Sequence, residues 1–117
     1  MRRASYRPAA RADIRNALKT SSRDFGPHAR RAYKTLIDHA VAMLCADACR
    51  AGVRRIDDLS DGVFLFHLRH ARARGALPKD PRHLIVFTCD DAAITILRVL
   101  HDSMDVPART ATEPDKP

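Results

Sequence analysis

The chain has no tryptophan, two tyrosines and four phenylalanines in 117 residues. None of them forms the stacking series with which proteins grip single-stranded nucleic acid. Four glycines are present and no two lie within nine residues of each other, which excludes a glycine-rich phosphate cradle. A G-x-S-x-G elbow and a paired-carboxylate signature are also missing. Three cysteines, an odd number, argue against a disulfide framework and for a reduced compartment. The longest apolar run, Ala40 to Ala46, falls far short of the roughly 20 residues that span a bilayer. Nor does an apolar stretch follow the arginines of Met1 to Ala10, so a soluble, cytoplasmic chain with no membrane partner is expected.

Metal chemistry has little to stand on. On a strand, the spacing of His67 and His70 puts them on opposite faces. Cys45 and Cys49 can share a helix face, but no second pair completes four ligands. No metal and no cofactor are expected, and the cysteines read as small buried hydrophobes.

Cationic charge is plentiful. Lys and Arg number 21 against 14 Asp and Glu, a formal +7, which implies an acidic partner. Residues 1 to 34 hold ten basic and two acidic side chains, and residues 67 to 83 hold five and one. The excess therefore sits on the first third of the chain and on one later connection. At this length and 45% apolar composition, the chain suits one domain that buries about two thirds of its unfolded surface.

Hydrophobic periodicity outlines the fold. Ala4 to Arg7 is extended, and Pro8 suits a first helical turn. Ile14, Leu18, Ser21 and Phe25 then share one helical face, with Arg11, Arg15, Lys19 and Arg23 on the others. Gly26-Pro27 ends this helix and starts a second, whose apolar stripe runs through Ala29, Ala32/Tyr33, Leu36/Ile37, Ala40/Val41 and Leu44 until Gly52 closes it. Two such helices so close together form an antiparallel hairpin. Asp57 to Gly62 has loop chemistry. Val63 to His70, Leu84 to Phe87 and Ile94 to His101 read as strands of a meander that Ala4 to Arg7 can join. The expected class is α+β, in the order β-α-α-β-β-β: an antiparallel sheet with the helical hairpin packed on one face. Residues 1–105 form the domain, and the proline-rich 106–117 a flexible tail.

Two features of the strands bear on function. Strict alternation puts Ile94, Ile96, Arg98 and Leu100 on one face, so Arg98 must meet a carboxylate or lie where the sheet meets solvent. The connection from Ala71 to Pro81 is long for a hairpin. It is basic as well, with Arg72, Arg74 and Lys79 inside and Arg69, His70, Arg82 and His83 beside it. That makes it either a solvated loop or a contact surface, and a loop of this length and charge favours contact.

The combination of Phe66-His67-Leu68-Arg69-His70, the basic loop, Pro81-Arg82-His83 and the closing run Ile96 to Asp105, after two amphipathic helices, resembles the ParE branch of the RelE/ParE toxins. These belong to bacterial type II toxin–antitoxin modules, and the resemblance covers roughly residues 4 to 106. It implies a non-enzymatic inhibitor of DNA gyrase that acts by protein contact and is neutralised by a cognate antitoxin with an acidic or amphipathic segment. Contact residues on that reading are Arg69, Arg72, Arg74, Lys79, Arg82, Arg98, His101 and Met104. The first alternative is a RelE-like ribosome-dependent mRNA endoribonuclease. Metal-independent RNA cleavage needs a base, an acid and cations for the phosphorane, which Arg69, Arg82, His83, Arg98 and His101 would supply. Tyr6, on a strand, and Tyr33, on a helix, stand apart from that set. The second alternative is a basic nucleic-acid-binding or adaptor domain on the same scaffold. Two positions depart from the family pattern: Ser103 stands where a basic residue often precedes Met104, and Arg7 where Ser or Thr commonly caps the first helix.

Overall fold

In the computed structural model, residues 1–56 and 62–104 are described. Most of the loop expected from Asp57, and the tail expected from residue 106, fall outside them. Arg3–Tyr6 forms β1 and leads directly into α1 (Pro8–Phe25), which is followed by α2 (Pro27–Ala46). Arg7 occupies the N-cap in extended conformation without a side-chain cap, at a cost of about 1 kcal/mol. Gly26, at φ 91°, is the single residue between the helices and takes a conformation in which a Cβ would be strained.

Tyr33, Leu36, Ile37, Ala40, Val41, Leu44 and Cys45 are the buried face of α2, and Ala10, Ala17, Leu18 and Ser21 that of α1. Phe25 departs from the expected stripe. It is the last residue of α1, at the tip of the hairpin, and is 78% exposed.

β2 (Val53–Arg55), β3 (Phe64–His67), β4 (His83–Cys89) and β5 (Ala93–His101) complete a five-stranded sheet of order β1-β5-β4-β3-β2. β1 is parallel to β5, and the other pairs are antiparallel. The order adds β2, a three-residue strand too short to show alternation, to the expected elements. β3 is shorter than the expected Val63 to His70. Its backbone turns into a 3-10 turn at Leu68–His70, held by the His67 ring, whose Nδ1 accepts the Arg69 N–H at 3.1 Å. Gly52, at φ 98°, packs under the His70 ring; a Cβ there would lie 2.7 Å from a ring carbon. The β4–β5 turn is closed by Asp90 Oδ1, which accepts the amides of both Ala92 and Ala93 at 2.8 Å, the self-bonding expected of an Asp turn.

The strict alternation expected for the last strand is broken by a bulge. Val86 pairs with Arg98 but Phe87 pairs with Ile96, so Leu97 is left without a partner on β4. An extra residue reverses the sidedness of all that follows. Ile94, Ile96 and Val99 join the core beneath the helices, together with Phe66, Ile85 and Phe87. Leu100, with Leu97 beside it, joins Ile56, Val63, Leu84 and Val86 in a second cluster.

The bulge also settles Arg98. β1 ends at Tyr6, and Arg7 N–H donates to Ile96 O at 2.9 Å. Beyond that point the outer edge of β5 is capped by a side chain of α1. Asp13 Oδ2 accepts the Val99 amide at 3.0 Å and Arg98 Nε at 2.7 Å, and Oδ1 accepts Arg98 Nη2 at 2.9 Å. The ion pair is largely sequestered, with side-chain exposures of 17% and 13%. Among the described residues, no helix is long and apolar enough to cross a membrane.

Candidate functional site

The end of β3, the start of β4 and the end of β5 meet at one end of the sheet, because adjacent strands there are antiparallel. This brings His67, Arg82, His83, His101 and Asp102 together, and α2 contributes Tyr33. Asp102 is the hub. Its carboxylate accepts Arg82 Nε at 3.0 Å and Nη2 at 3.0 Å, and His67 Nε2 donates to it at 3.0 Å. The His67 tautomer follows from its other nitrogen, which already accepts the Arg69 amide. The backbone closes the same contact, with Asp102 N–H donating to Arg82 O at 2.7 Å. The Arg82 guanidinium, and then His67, hold the Asp102 carboxyl at about 2, although burial works against them.

Tyr33 and His83 form the other half. The Tyr33 oxygen accepts the Arg82 amide at 3.3 Å and lies 2.6 Å from His83 Nδ1. With its oxygen so engaged, the hydroxyl donates its own proton to Nδ1, which requires His83 to be unprotonated there. Burial pushes His83 down to about 4, helped by the neighbouring His101, and pushes Tyr33 up to about 12. His83 and His101 meet edge to face, with ring centroids 5.4 Å apart. His101 is more open and faces Ser103, whose Oγ lies 2.7 Å from Nδ1 and whose amide donates to it at 3.1 Å.

Above this floor lies a groove of about 700 Å³. One wall is helical: Ala17, Thr20, Ser21 and Phe25 of α1, with His28, Ala29 and Ala32 of α2. The other is the long connection, through Leu77, Pro78, Lys79, Asp80 and Arg82. Phe25 and Leu77, the latter 54% exposed, stand on opposite walls. An apolar concavity with a few convergent polar groups is the usual form of a binding site. Arg72 helps to shape the connection by donating Nε to Pro78 O at 2.8 Å.

The residues expected from sequence separate into three groups. Arg82, His83 and His101 converge, and Lys79 lines the groove beside them. Arg98 is held by Asp13 instead, and Arg69 and Arg74 are exposed residues that do not line the groove. Met104 is 39% exposed, in the turn whose amide donates to His101 O at 3.0 Å. Tyr33, expected to stand apart, is in the centre of the cluster: helical packing carries it across 50 positions to His83. Sequence reasoning missed Asp102 and the structural use of His67. The carboxylate directly after His101 was the signal at hand, since two arginines and two histidines near one sheet end need an anion. His67 and His70 are separated by the turn, not by strand alternation, and the His70 ring stacks on Phe66. Of the cysteines, Cys45 is buried, Cys89 half-buried and Cys49 exposed, so only the first two behave as core residues. Among the described residues no group of three His, Cys, Asp or Glu side chains could hold a metal ion.

A small basic domain with a β-α-α-β start, a mainly antiparallel sheet and a groove at its end is the architecture of the RelE/ParE type. The family model described as the ParE toxin of the type II toxin–antitoxin system, parDE, matches residues 4–106. The chain belongs to that family. Among solved structures it is similar to the chromosomal ParDE TA system from P. aeruginosa, with a TM-score of 0.64 and 18% identity over 86% of this chain and 96% of that one. No curated protein matches.

Proposed function

We propose that this chain is the toxin of its module, that it inhibits DNA gyrase by protein contact in the cytoplasm, and that a cognate antitoxin neutralises it. The observation that carries this reading is the state of the polar cluster. Arg82 is bound by Asp102 and Arg98 by Asp13, so neither guanidinium is free to meet a phosphorane. His83 is neutral far below pH 7, and Tyr33 keeps its proton far above it. Efficient proton transfer wants groups that titrate near the working pH, whereas these groups brace the sheet end beneath an apolar groove. Such a groove, with Lys79 on its edge, suits an amphipathic segment that places apolar anchors between Phe25 and Leu77 and a carboxylate near the cation.

Endonuclease action on mRNA is the rival, and Tyr33 favours it by supplying the hydroxyl that sequence reasoning lacked. The two readings part in one experiment with the purified chain. Supercoiling by gyrase should be arrested while mRNA on stalled ribosomes stays intact. Ribosome-dependent cleavage that disappears in His101→Ala, with gyrase unaffected, would reverse the assignment.

A further inference from the structure

We propose that the outer face of the helical hairpin is a docking surface for the phosphate backbone of double-stranded DNA. Neither gyrase inhibition nor antitoxin binding requires this, and it is tested on the isolated chain. Arg11, Arg15 and Lys19 recur every four residues along α1 and are exposed. They form a stripe about 12 Å long at 1.5 Å per residue. Arg15 and Lys19 flank Leu18 in sequence, three before it and one after. Leu18, with Arg30, Arg31, Lys34 and Thr35 of α2, walls a recess of about 330 Å³ on the hairpin. The recess is large enough to admit a phosphate group.

Most of the acids that could cancel this charge are engaged elsewhere. Asp13 holds Arg98 and Asp24 holds Arg23, while Asp38 is on the hairpin itself and pairs with Lys34 at 2.7 Å. Arg15, Lys19 and Arg30 have no ion pair among the described residues. Arg11 lies over the Tyr6 ring at 5.4 Å, and Arg31 Nη2 donates to His28 Nδ1 at 2.8 Å, which is not an ion pair. Both keep their charge exposed to a partner, which leaves five cations on this face.

What the face lacks identifies its partner. Protein interfaces are anchored by apolar and aromatic side chains in a desolvated centre. Among the described residues the exposed large hydrophobic side chains are Met1, Phe25, Leu77 and Met104; of these only Phe25 belongs to the hairpin, at its tip, where it walls the groove and not this recess. A duplex needs no such anchor. It presents one charge per roughly 1.7 Å of axis, and affinity comes from releasing its counterions. The absence of tryptophan and of any aromatic stacking series points to a duplex backbone in preference to unpaired bases.

The test is fluorescence anisotropy of a labelled mixed-sequence 30-base-pair duplex with the full chain, from 50 to 200 mM salt. Five contacts give a slope of about −4.5 in log affinity against log salt, a loss of roughly 500-fold over that range. Arg15→Ala with Lys19→Ala should lower the slope by about two. Arg69→Ala with Arg74→Ala, a pair beside and in the loop that does not line the groove, should leave it unchanged. All four positions are surface residues, and circular dichroism melts of both variants confirm that each folds. Three results overturn the proposal: no duplex binding at 50 mM salt, a slope governed by the loop pair instead of the α1 pair, or a polyglutamate peptide bound as tightly as the duplex. The last would give the face to an acidic protein.

Discussion

The two flanks of the helical hairpin are made from the same two helices and differ in kind. Toward the long connection, α1 and α2 present Ala17, Phe25, Ala29 and Ala32 around a floor of tied polar groups. Toward solvent, they present Arg11, Arg15, Lys19 and Arg30, exposed and, in the last three, free of ion pairs among the described residues. On the first flank shape and desolvation carry recognition, and a misplaced ångström matters. On the other, recognition is long-range, tolerant of geometry and screened by salt. A periodicity of 3.6 residues can therefore serve two partners on one hairpin, provided that each flank keeps to one kind of chemistry.

The largest effects should come from the core beneath both flanks. Leu44→Ala removes a fully buried side chain and should cost about 2 to 5 kcal/mol, read as a lower urea midpoint. If that variant and Leu36→Ala both melted like the parent, the helices would not be packed as described, and the two flanks would lose their common base.

Next comes the groove floor. Asp102→Ala leaves both Arg82 and His67 without their anion and, with Arg82 half exposed, should destabilise by about 1 to 2 kcal/mol. On the other flank Arg15→Ala should stay within about 0.5 kcal/mol. Equal melting temperatures for the two variants would erase the distinction between a structural polar cluster and a solvated stripe.

Acid should act chiefly on the floor, with His70, lowered by burial, and Asp90, lowered by the turn amides, adding losses of the same sign. His83 is depressed to about 4 in the folded chain from its ordinary 6.5, so between those values the unfolded chain binds the extra proton. Stability is then complete above pH 6.5 and falls as pH drops toward 4, by on the order of 2 kcal/mol after allowance for solvent screening. Asp102, held at about 2 against 3.8, adds a further loss of the same sign below pH 4. Tyr33, raised to about 12 from 10, reverses the sign at the alkaline end, where stability falls as pH rises from 10 to 12. A urea series across pH should trace this plateau, and Tyr33→Phe with His83→Phe should flatten the alkaline shoulder and most of the loss between pH 6.5 and 4, leaving that of Asp102 below pH 4. A loss between pH 6.5 and 4 undiminished in that pair would have to arise elsewhere.

The smallest effect on folding, and a selective one on binding, belongs to the groove's edges. Phe25→Ala and Leu77→Ala should leave the melt unchanged while weakening the antitoxin complex at least tenfold, a ratio expected for truncated anchors and measurable by surface plasmon resonance. Undiminished affinity in both variants would move the antitoxin off this flank.

Much of the fold was legible in the sequence because it rests on local rules. The start at Pro8, the joint at Gly26-Pro27 and the two helical stripes each depend on residues a few positions apart. β2 and the bulge at Leu97 were not legible. The strand is only three residues long, and the bulged run keeps an apparently uninterrupted alternation until its partner strand is known. Sequence offered Arg98 either a carboxylate or a place where the sheet meets solvent, and could not name Asp13, which is 85 positions away. For the same reason the candidate site was read only in part. Its histidines and Arg82 lie on or beside strands that the sequence places in one meander, whereas Tyr33 reaches them from a helix through packing.

The carboxylate that caps β5 also sets the order of events as the chain is made. Asp13 takes the amide of Val99 from 86 positions away, and β1 finds its partner only in Ala93–Ile96. Apart from Arg2 N–H, which donates to Cys45 O at the end of α2 at 3.0 Å, β1 thus has no backbone partner until the last strand follows. Pairings of such span are slow to form and leave an open edge while they wait. At 5 to 20 residues per second, that wait lasts roughly 4 to 20 s for the intervening chain. A nascent chain stopped before Ala93 should lack protected amides in β1, as pulsed hydrogen exchange would report, and the groove should be complete only once synthesis has passed His101.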